Sequence, residues 1–405
     1  MASDIDLSAE VAAAYPRLVA LRRDLHQHPE LAFQEHRTAR LVAERLRAAG
    51  LQVQEGVGAT GVVGLLEGGR PGPTVAVRAD MDALPLDEVG DRPYRSQTPG
   101  VMHACGHDGH TAIAVTLAEI FARHRATLPG RIKFIFQPAE ETAGGAERMI
   151  AEGVLEAPRV DRVLGLHLWN YVPVGQVAVK AGPIFASVDE LRITIRGRGG
   201  HGAIPHDAVD PVLVAAHLIT ALQALVSRET SPQEPTVLTI GAVHGGTAFN
   251  IIPEQVELLG TLRTFDPRVR EVLLERLVAL SRGLTAAFRA EATVQTRPSC
   301  PAVVNDPALT ELVRRAAAAE LGEAAVVETR GTLGGDDMAD YLALRPGCYF
   351  FVGARNEARG LDRSHHNPGF DFDEAALAVA ARVLGRATLA ALDGPGCGEG
   401  TGHND

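Results

Sequence analysis

From Val11 to Gly50 apolar residues recur at helical spacing, with one interruption at His28-Pro29. The pattern predicts two helices, the second closing at a glycine. Short apolar runs then predict strands at Gly61 to Leu66, Thr74 to Arg78, Arg131 to Phe136 and Arg162 to Leu168. A helix is predicted from His110 to His124. Strands alternating with helices point to an α/β fold, a mostly parallel, helix-covered sheet whose chemistry sits at strand ends and in the loops after them. Between about Phe185 and Pro298 the texture changes. Val188-Asp-Glu-Leu-Arg-Ile-Thr-Ile-Arg alternates with period two, helices are predicted at Pro211 to Val226 and Arg268 to Phe288, and strands at Val237 to Val243 and Gln255 to Thr264. This is an α+β module inserted into the first domain, whose chain resumes near Val303. The expected division is 1–184 and 299–393 for the interrupted domain, 185–298 for the insert, and a glycine-rich tail at 394–405 that lacks apolar periodicity and is expected to be disordered.

Composition fits that architecture. A chain of 405 residues exceeds one ordinary domain, and 46% hydrophobic content can fill two cores. No apolar run approaches the roughly 20 residues that crossing a bilayer requires. The start, Met1-Ala-Ser-Asp-Ile-Asp, is acidic where a secretory leader would be basic and then apolar. A cytoplasmic location is expected. The four cysteines, Cys105, Cys300, Cys348 and Cys397, show no disulfide-framework spacing. A net charge of -11 argues against nucleic acid or an anionic membrane as partner, but leaves an anionic small molecule open, because one local arginine can outweigh a diffuse field.

The candidate chemistry begins at Met102-His-Ala-Cys-Gly-His-Asp-Gly-His, one thiol and three imidazoles within nine residues. Cys105 and His107 flank a glycine, so a turning backbone can aim both at one point. Thiolate plus imidazole suits zinc, nickel, cobalt or manganese better than calcium or magnesium. The alternative is a helix start with incidental histidines. Three further segments bear on it. Gln137-Pro-Ala-Glu-Glu ends an apolar strand in two adjacent acids, whose repulsion a cation would relieve; one Glu can ligate while the other serves as general base. His167 closes another apolar strand, where a satisfied core histidine is the plain alternative. His365 and His366 occupy a proline-terminated loop, where a solvated surface pair is the alternative. Together, Cys105, His107, Glu141, His167 and His366 are enough side chains for two metal ions sharing a bridging ligand. Asp80 and Asp82 flank Met81 after an apolar strand, and alternation sends them to one side; a strand-capping role for Asp80 is the alternative. Asp108 and His110 are each candidate caps of the helix that begins there.

Leu21-Arg-Arg-Asp-Leu-His-Gln-His-Pro-Glu-Leu, Arg78-Ala-Asp-Met-Asp-Ala-Leu-Pro, the Cys105 cluster, Gln137-Pro-Ala-Glu-Glu, Gly199-Gly-His-Gly-Ala, Ala248-Phe-Asn-Ile-Ile-Pro and Gly260-Thr-Leu-Arg-Thr-Phe occur in this order between about Leu18 and Glu374. They resemble the motifs of the M20 metallopeptidases, specifically the amidohydrolase branch of aminoacylases, hippurate hydrolases and indoleacetyl-amino-acid hydrolases. The resemblance implies a catalytic domain carrying a lid or dimerisation module with a four-stranded sheet, two divalent ions per subunit, and a homodimer or a tetramer of dimers. Where the wider superfamily has a metal-binding histidine this chain has Asp80; His107 takes over that role and Cys105 matches a bridging aspartate. Asp82 then reads as the acid that orients a ligand imidazole. By resemblance Glu140 is the general base and His201 stabilises an oxyanion in the neighbouring subunit's site, while Asn250 and Arg263 hold a substrate carboxylate, a task suited to a planar guanidinium.

The activity implied is hydrolysis of the amide bond of N-acyl-L-amino acids (N-acetyl, N-benzoyl or similar) by an activated water. A carboxypeptidase or dipeptidase would use the same machinery. Gly334-Gly-Asp-Asp-Met-Ala departs from the commoner Ser-Glu-Asp-Phe, so Asp336 and Met338 are candidates for an altered pocket lining. A non-catalytic metal-binding regulator should have lost a ligand or the base, and none is missing. A structural zinc protein would lack Glu140 and an open coordination position.

Overall fold

The computed structural model describes residues 5–142 and 144–393, so the glycine-rich tail at 394–405 lies outside the described residues. The chain divides into two compact units. One takes the chain up to Gly182, Val304–Arg330 and the chain from Asp337; the other takes Pro183–Val303 and Gly331–Asp336.

The first unit is built on an eight-stranded sheet in the order Gln52–Val57, Gly61–Glu67, Pro129–Gln137, Arg70–Asp80, Arg162–Pro173, Gly347–Arg355, Val177–Val179, Val326–Glu328. The four central strands, 129–137, 70–80, 162–173 and 347–355, run parallel. Their sequences are nearly unbroken apolar runs because both faces are covered: Val75, Val77, Phe134, Phe136, Leu164, Leu166, Phe350 and Val352 are all buried. Register decides where the chemistry goes. Asp80 lies opposite Gln137, Arg78 opposite Gly165, and His167 opposite Phe351. The carboxyl ends of adjacent parallel strands therefore bring Asp80 to Asp82, Pro138 to Glu141 and His167 to one edge, where an open α/β sheet builds its sites.

Helices Leu7–Gln27, His107–Arg123 and Ala375–Leu392 pack together over this sheet. The helix predicted from His110 starts at His107, one turn earlier, because Gly106 adopts φ 95° and turns the chain into it. Fourteen of its residues are buried, so its sequence reads as apolar all round rather than as an amphipathic stripe. Gly109 permits the close approach: a Cβ there would stand 2.5 Å from Leu168 Cδ1.

The second unit is an antiparallel sheet ordered Thr236–Gly245, Gln255–Thr264, Ser187–Arg196, Glu291–Cys300. Strand 187–196 alternates buried and more exposed positions, as its period-two pattern requires. Helices Pro211–Arg228 and Pro267–Ala287, each opened by an Asp cap followed by proline, cover its apolar face through Leu218, Leu222, Leu273 and Leu277.

One expectation needs correction. Two helices, Pro211–Arg228 and Ala375–Leu392, are long and apolar enough to cross a membrane by length and composition. The second is a core helix, with 72% of its span buried inside the first unit; the first lays its apolar face on the four-stranded sheet.

Candidate active site

The loop entering helix 107–123 and the ends of strands 70–80, 129–137 and 162–173 converge on one cluster. Cys105 Sγ lies 3.5 Å from His167 Nε2, His107 Nε2 lies 3.9 Å from Glu141 Oε1, and His366 Nε2 lies 3.3 Å from Glu141 Oε2. Five side chains that the sequence separates by up to 261 positions thus face one another. His366 reaches the cluster from a left-handed backbone position, φ 62°, with its N–H donated to Ala104 O at 2.8 Å.

The imidazoles are oriented for ligation. His107 Nδ1 donates to Asp82 O at 2.9 Å, and His167 Nδ1 donates to Leu168 O at 2.7 Å. Each ring's proton is held on Nδ1, so each presents an Nε2 lone pair to the cluster. His107 Nε2 and Glu141 Oε1 are buried without hydrogen-bond partners. Such orphaned atoms are costly unless something occupies the space between them. At 3.9 Å they are too far apart to bond each other, and two ligands each about 2 Å from a shared ion would span this gap. The electrostatics point the same way. Burial works against the charged form of His107, yet the Asp80, Asp82 and Glu141 carboxylates push it up to about 10. Burial and the Glu141, Glu140 and Asp80 carboxylates push the Cys105 thiol far above its ordinary range. Burial, with His110 and His365 nearby, keeps His167 neutral. An acid-rich pocket that would otherwise hold a proton on imidazole and thiol has the donor set, sulfur, nitrogen and oxygen, of a first-row divalent cation site. The five residues fit such ions.

Around this cluster the remaining acids take separate parts. Asp82 is buried, and its Oδ1 and Oδ2 accept the N–H groups of Glu140 at 3.1 Å and Glu141 at 3.0 Å; its Oδ1 also lies 3.3 Å from His107 Nδ1. One carboxylate thereby aligns both consecutive acids and a cluster imidazole. Glu140 Oε2 lies 3.8 Å from His107 Nε2, at the cluster's edge. Asp80 Oδ2 also lies 3.8 Å from His107 Nε2, but its oxygens are engaged by other donors, accepting from His110 Nδ1 at 2.6 Å and Arg78 Nη1 at 2.6 Å. His110 is equally committed, since its Nε2 accepts the Leu168 N–H at 2.9 Å. Buried Arg78 also donates to Gln137 Oε1 and to Asp337 Oδ1, whose other oxygen accepts the Ala146 N–H.

Three expectations change here. His365 is not half of a solvated pair. It is half-buried with its Nδ1 covered, stacked on Trp169 at 4.7 Å, and its Nε2 accepts the Asn170 N–H; desolvation and its neighbour His366 push it down to about 3. Asp108 does not cap its helix. It pairs with fully buried Arg22 and with His26 Nδ1, both at 2.8 Å, and Arg22 also binds Asp371. Met338 lines no open pocket, being fully buried beside Gly165. Sequence reasoning did not single out Arg22, His26 or Glu35. The first two stood within the Leu21-Arg-Arg-Asp-Leu-His motif, the only signal available; Glu35 carried none.

The second unit holds the other candidates. His201 is exposed on the short strand Gly200–His201, paired with Ile251, and its Nδ1 accepts the Ala203 N–H at 3.0 Å, leaving the proton on Nε2. Asn250 is exposed, and its carbonyl accepts the Gly202 N–H. Arg263 is half-buried in strand 255–264, with Nη1 donating to Leu333 O at 3.1 Å.

N-acetylcysteine deacetylase of Bacillus subtilis is 39% identical over 382 residues, 94% of this chain and 98% of that protein. Thermostable carboxypeptidase 2 of Saccharolobus solfataricus is 39% identical over 377 residues, 92% and 94% of the two chains. The crystal structure of the Bacillus subtilis YXEP protein, described as a dinuclear metal binding peptidase, superposes with a TM-score of 0.82 at 36% identity, covering 94% of this chain and 99% of that one. The model of Peptidase family M20/M25/M40 matches residues 76–390, and the chain belongs to that family.

Proposed function

We propose that the protein is a metal-dependent amidohydrolase that cleaves N-acyl-L-amino acids to a carboxylic acid and a free amino acid. The observation that carries this reading is the convergence of Cys105, His107, Glu141, His167 and His366, with two orphaned donor atoms between them and Glu140 at the rim. Those five residues would hold two divalent ions, zinc, manganese, nickel or cobalt. When bound, such ions supply Lewis acidity that acidifies a water and polarises the scissile carbonyl. Glu140 takes a proton from the attacking water and returns one to the leaving nitrogen as the C–N bond breaks. Asp82 holds Glu140 and Glu141 by their backbone N–H groups, so the base and its neighbouring ligand keep a fixed spacing. His201, with its proton on Nε2, is the donor for the developing oxyanion. Arg263 and Asn250 grip the substrate carboxylate.

His201 is supplied by a second copy of the chain, so the active species is a homodimer or a tetramer of dimers, with the second unit serving as lid and dimerisation domain and the first as the catalytic domain. The net charge of -11 and the thiol at the cluster support a cytoplasmic enzyme with a small-molecule substrate and neither nucleic acid nor membrane as partner. A carboxypeptidase is the second reading, favoured by the 39% identity to a protein bearing that name. A panel of N-acetyl, N-benzoyl and longer N-acyl amino acids beside matched dipeptides, run with enzyme reconstituted separately with each of the four metals, separates the two. Faster turnover of free-amine dipeptides than of every N-acyl amino acid would favour the carboxypeptidase.

A further inference from the structure

Glu35 stands at the N-terminal boundary of helix His36–Ala48, where a carboxylate would ordinarily cap the helix, yet it makes no capping bond. Glu30 does that work instead, its two oxygens accepting the Arg37 and Thr38 N–H groups at 2.8 Å each. Glu35 turns inward and is fully buried. Its Oε1 accepts the N–H of Ala139 at 2.9 Å and of Phe33 at 3.1 Å; its Oε2 accepts the Thr60 hydroxyl at 2.5 Å.

The Ala139 bond spans 104 positions of sequence and falls on an unusual residue. Ala139 is buried and holds φ 53°, the left-handed region an alanine enters only when its surroundings over-determine it. It is also the residue immediately before Glu140. Three consecutive N–H groups, of Ala139, Glu140 and Glu141, are thus received by two buried carboxylates: Glu35 takes the first and Asp82 the next two. Asp82 touches the ligand cluster through His107, whereas Glu35 meets the turn through Ala139 and has Phe33 and Thr60 as its other hydrogen-bond partners.

We infer that Glu35 is a positioning residue for catalysis: by holding Ala139 in its left-handed conformation it sets the direction in which the chain delivers the Glu140 carboxylate. This rests on Glu140 being the general base. Removing the acceptor lets Ala139 relax toward ordinary φ, which swings the base without unseating Cys105, His107, Glu141, His167 or His366.

The test is a set of fully metallated enzymes assayed on an N-acetyl amino acid: wild type, Glu35→Leu, Glu35→Gln, Glu140→Gln and the Glu35→Leu/Glu140→Gln double variant. Glu35→Leu should lower kcat by about 10- to 100-fold, the scale of a misplacement near 1 Å, with metal content and KM held near wild type. Glu35→Gln should recover most of that loss, because its amide oxygen can still accept both N–H groups while the Thr60 hydroxyl turns to accept from the new amide. In the Glu140→Gln background Glu35→Leu should add no further loss, since only the base is being positioned; a merely structural role would lower both backgrounds by the same factor. Should the leucine variant not fold, Glu35→Asp, which withdraws the carboxylate by one methylene, carries the same expectation. A folded, metallated Glu35→Leu or Glu35→Asp enzyme with kcat within about threefold of wild type overturns the inference, as does an equal loss in both backgrounds. An active Glu140→Gln enzyme would instead overturn the base assignment on which it rests.

Discussion

Asp82→Asn isolates the link between fold and chemistry, because the change keeps the side chain's size and removes one acceptor. In the wild type both oxygens are engaged, Oδ1 with the Glu140 N–H at 3.1 Å and Oδ2 with the Glu141 N–H at 3.0 Å. An asparagine can present its oxygen to only one of these; its NH2 then faces the other N–H, donor against donor. A hydrogen bond to a charged acceptor contributes about 1.5–3 kcal/mol, and the buried N–H left without a partner keeps that loss from being recovered in water. The same residue lies 3.3 Å from His107 Nδ1, and removing such a partner of a ligand imidazole typically costs about 10- to 100-fold in metal affinity or activity. Since each tenfold corresponds to about 1.4 kcal/mol, the two routes agree on roughly 1.4–2.8 kcal/mol. The expected outcome is a 10- to 100-fold weaker metal affinity, read by competition with a chromophoric chelator, together with a lower kcat on an N-acetyl amino acid. Asp91→Asn, on an exposed residue, should change neither. Metal affinity and kcat both within about threefold of wild type in Asp82→Asn would refute the reasoning.

Cys105→Ser should lose metal, because a hydroxyl is a poorer ligand, whereas Cys300→Ser and Cys348→Ser should retain it; equal metal content in all three, by elemental analysis, would remove Cys105 from the site. Arg22→Met strands Asp108 and Asp371, two buried carboxylates each 2.8 Å from the guanidinium, and should cost about 3–5 kcal/mol in urea unfolding. Against the effect of burial, Arg22 holds both acids below the ordinary carboxylate range. Their contribution is therefore fully present above about pH 4 and is lost as pH falls through the depressed values, so the gap between wild type and variant should narrow in acid; a gap unchanged down to pH 2 would contradict this. His201→Ala and Glu140→Gln should each be inactive, and a heterodimer isolated with two affinity tags should regain one intact site; a heterodimer as inactive as either parent would exclude His201 acting in trans.

What the sequence reveals and what it hides divide along chain distance. Cys105 and His107 are two residues apart, and Glu140, Glu141 and His167 terminate apolar strands, so short-range pattern suffices to single them out; parallel register then brings the strand ends together. The alternation of Val188 to Arg196 shows directly in its burial. Hydrogen bonds that cross the fold leave no periodic trace. Arg22 meets Asp108 across 86 positions and Glu35 meets Ala139 across 104. His365 looks like loop surface until Trp169 and Phe370 close over its ring. The strand Gln52–Val57 escapes notice because it lies at the sheet's edge, mostly exposed, with little apolar pattern to read. The helix start at His107 rather than His110 depends on the backbone conformation of Gly106, which residue type permits but does not dictate.

The central claim is that Glu140 acts as the base at a metal-loaded amide-cleaving site, and the rate of free amino acid release from an N-acetyl amino acid by Glu140→Gln, measured on enzyme shown to carry its full metal complement, tests it most directly. The amide keeps the carboxylate's shape but cannot accept the water's proton. The account predicts a loss of roughly 100-fold or more with metal content unchanged; a fully metallated Glu140→Gln enzyme retaining more than about a tenth of the wild-type rate would contradict it.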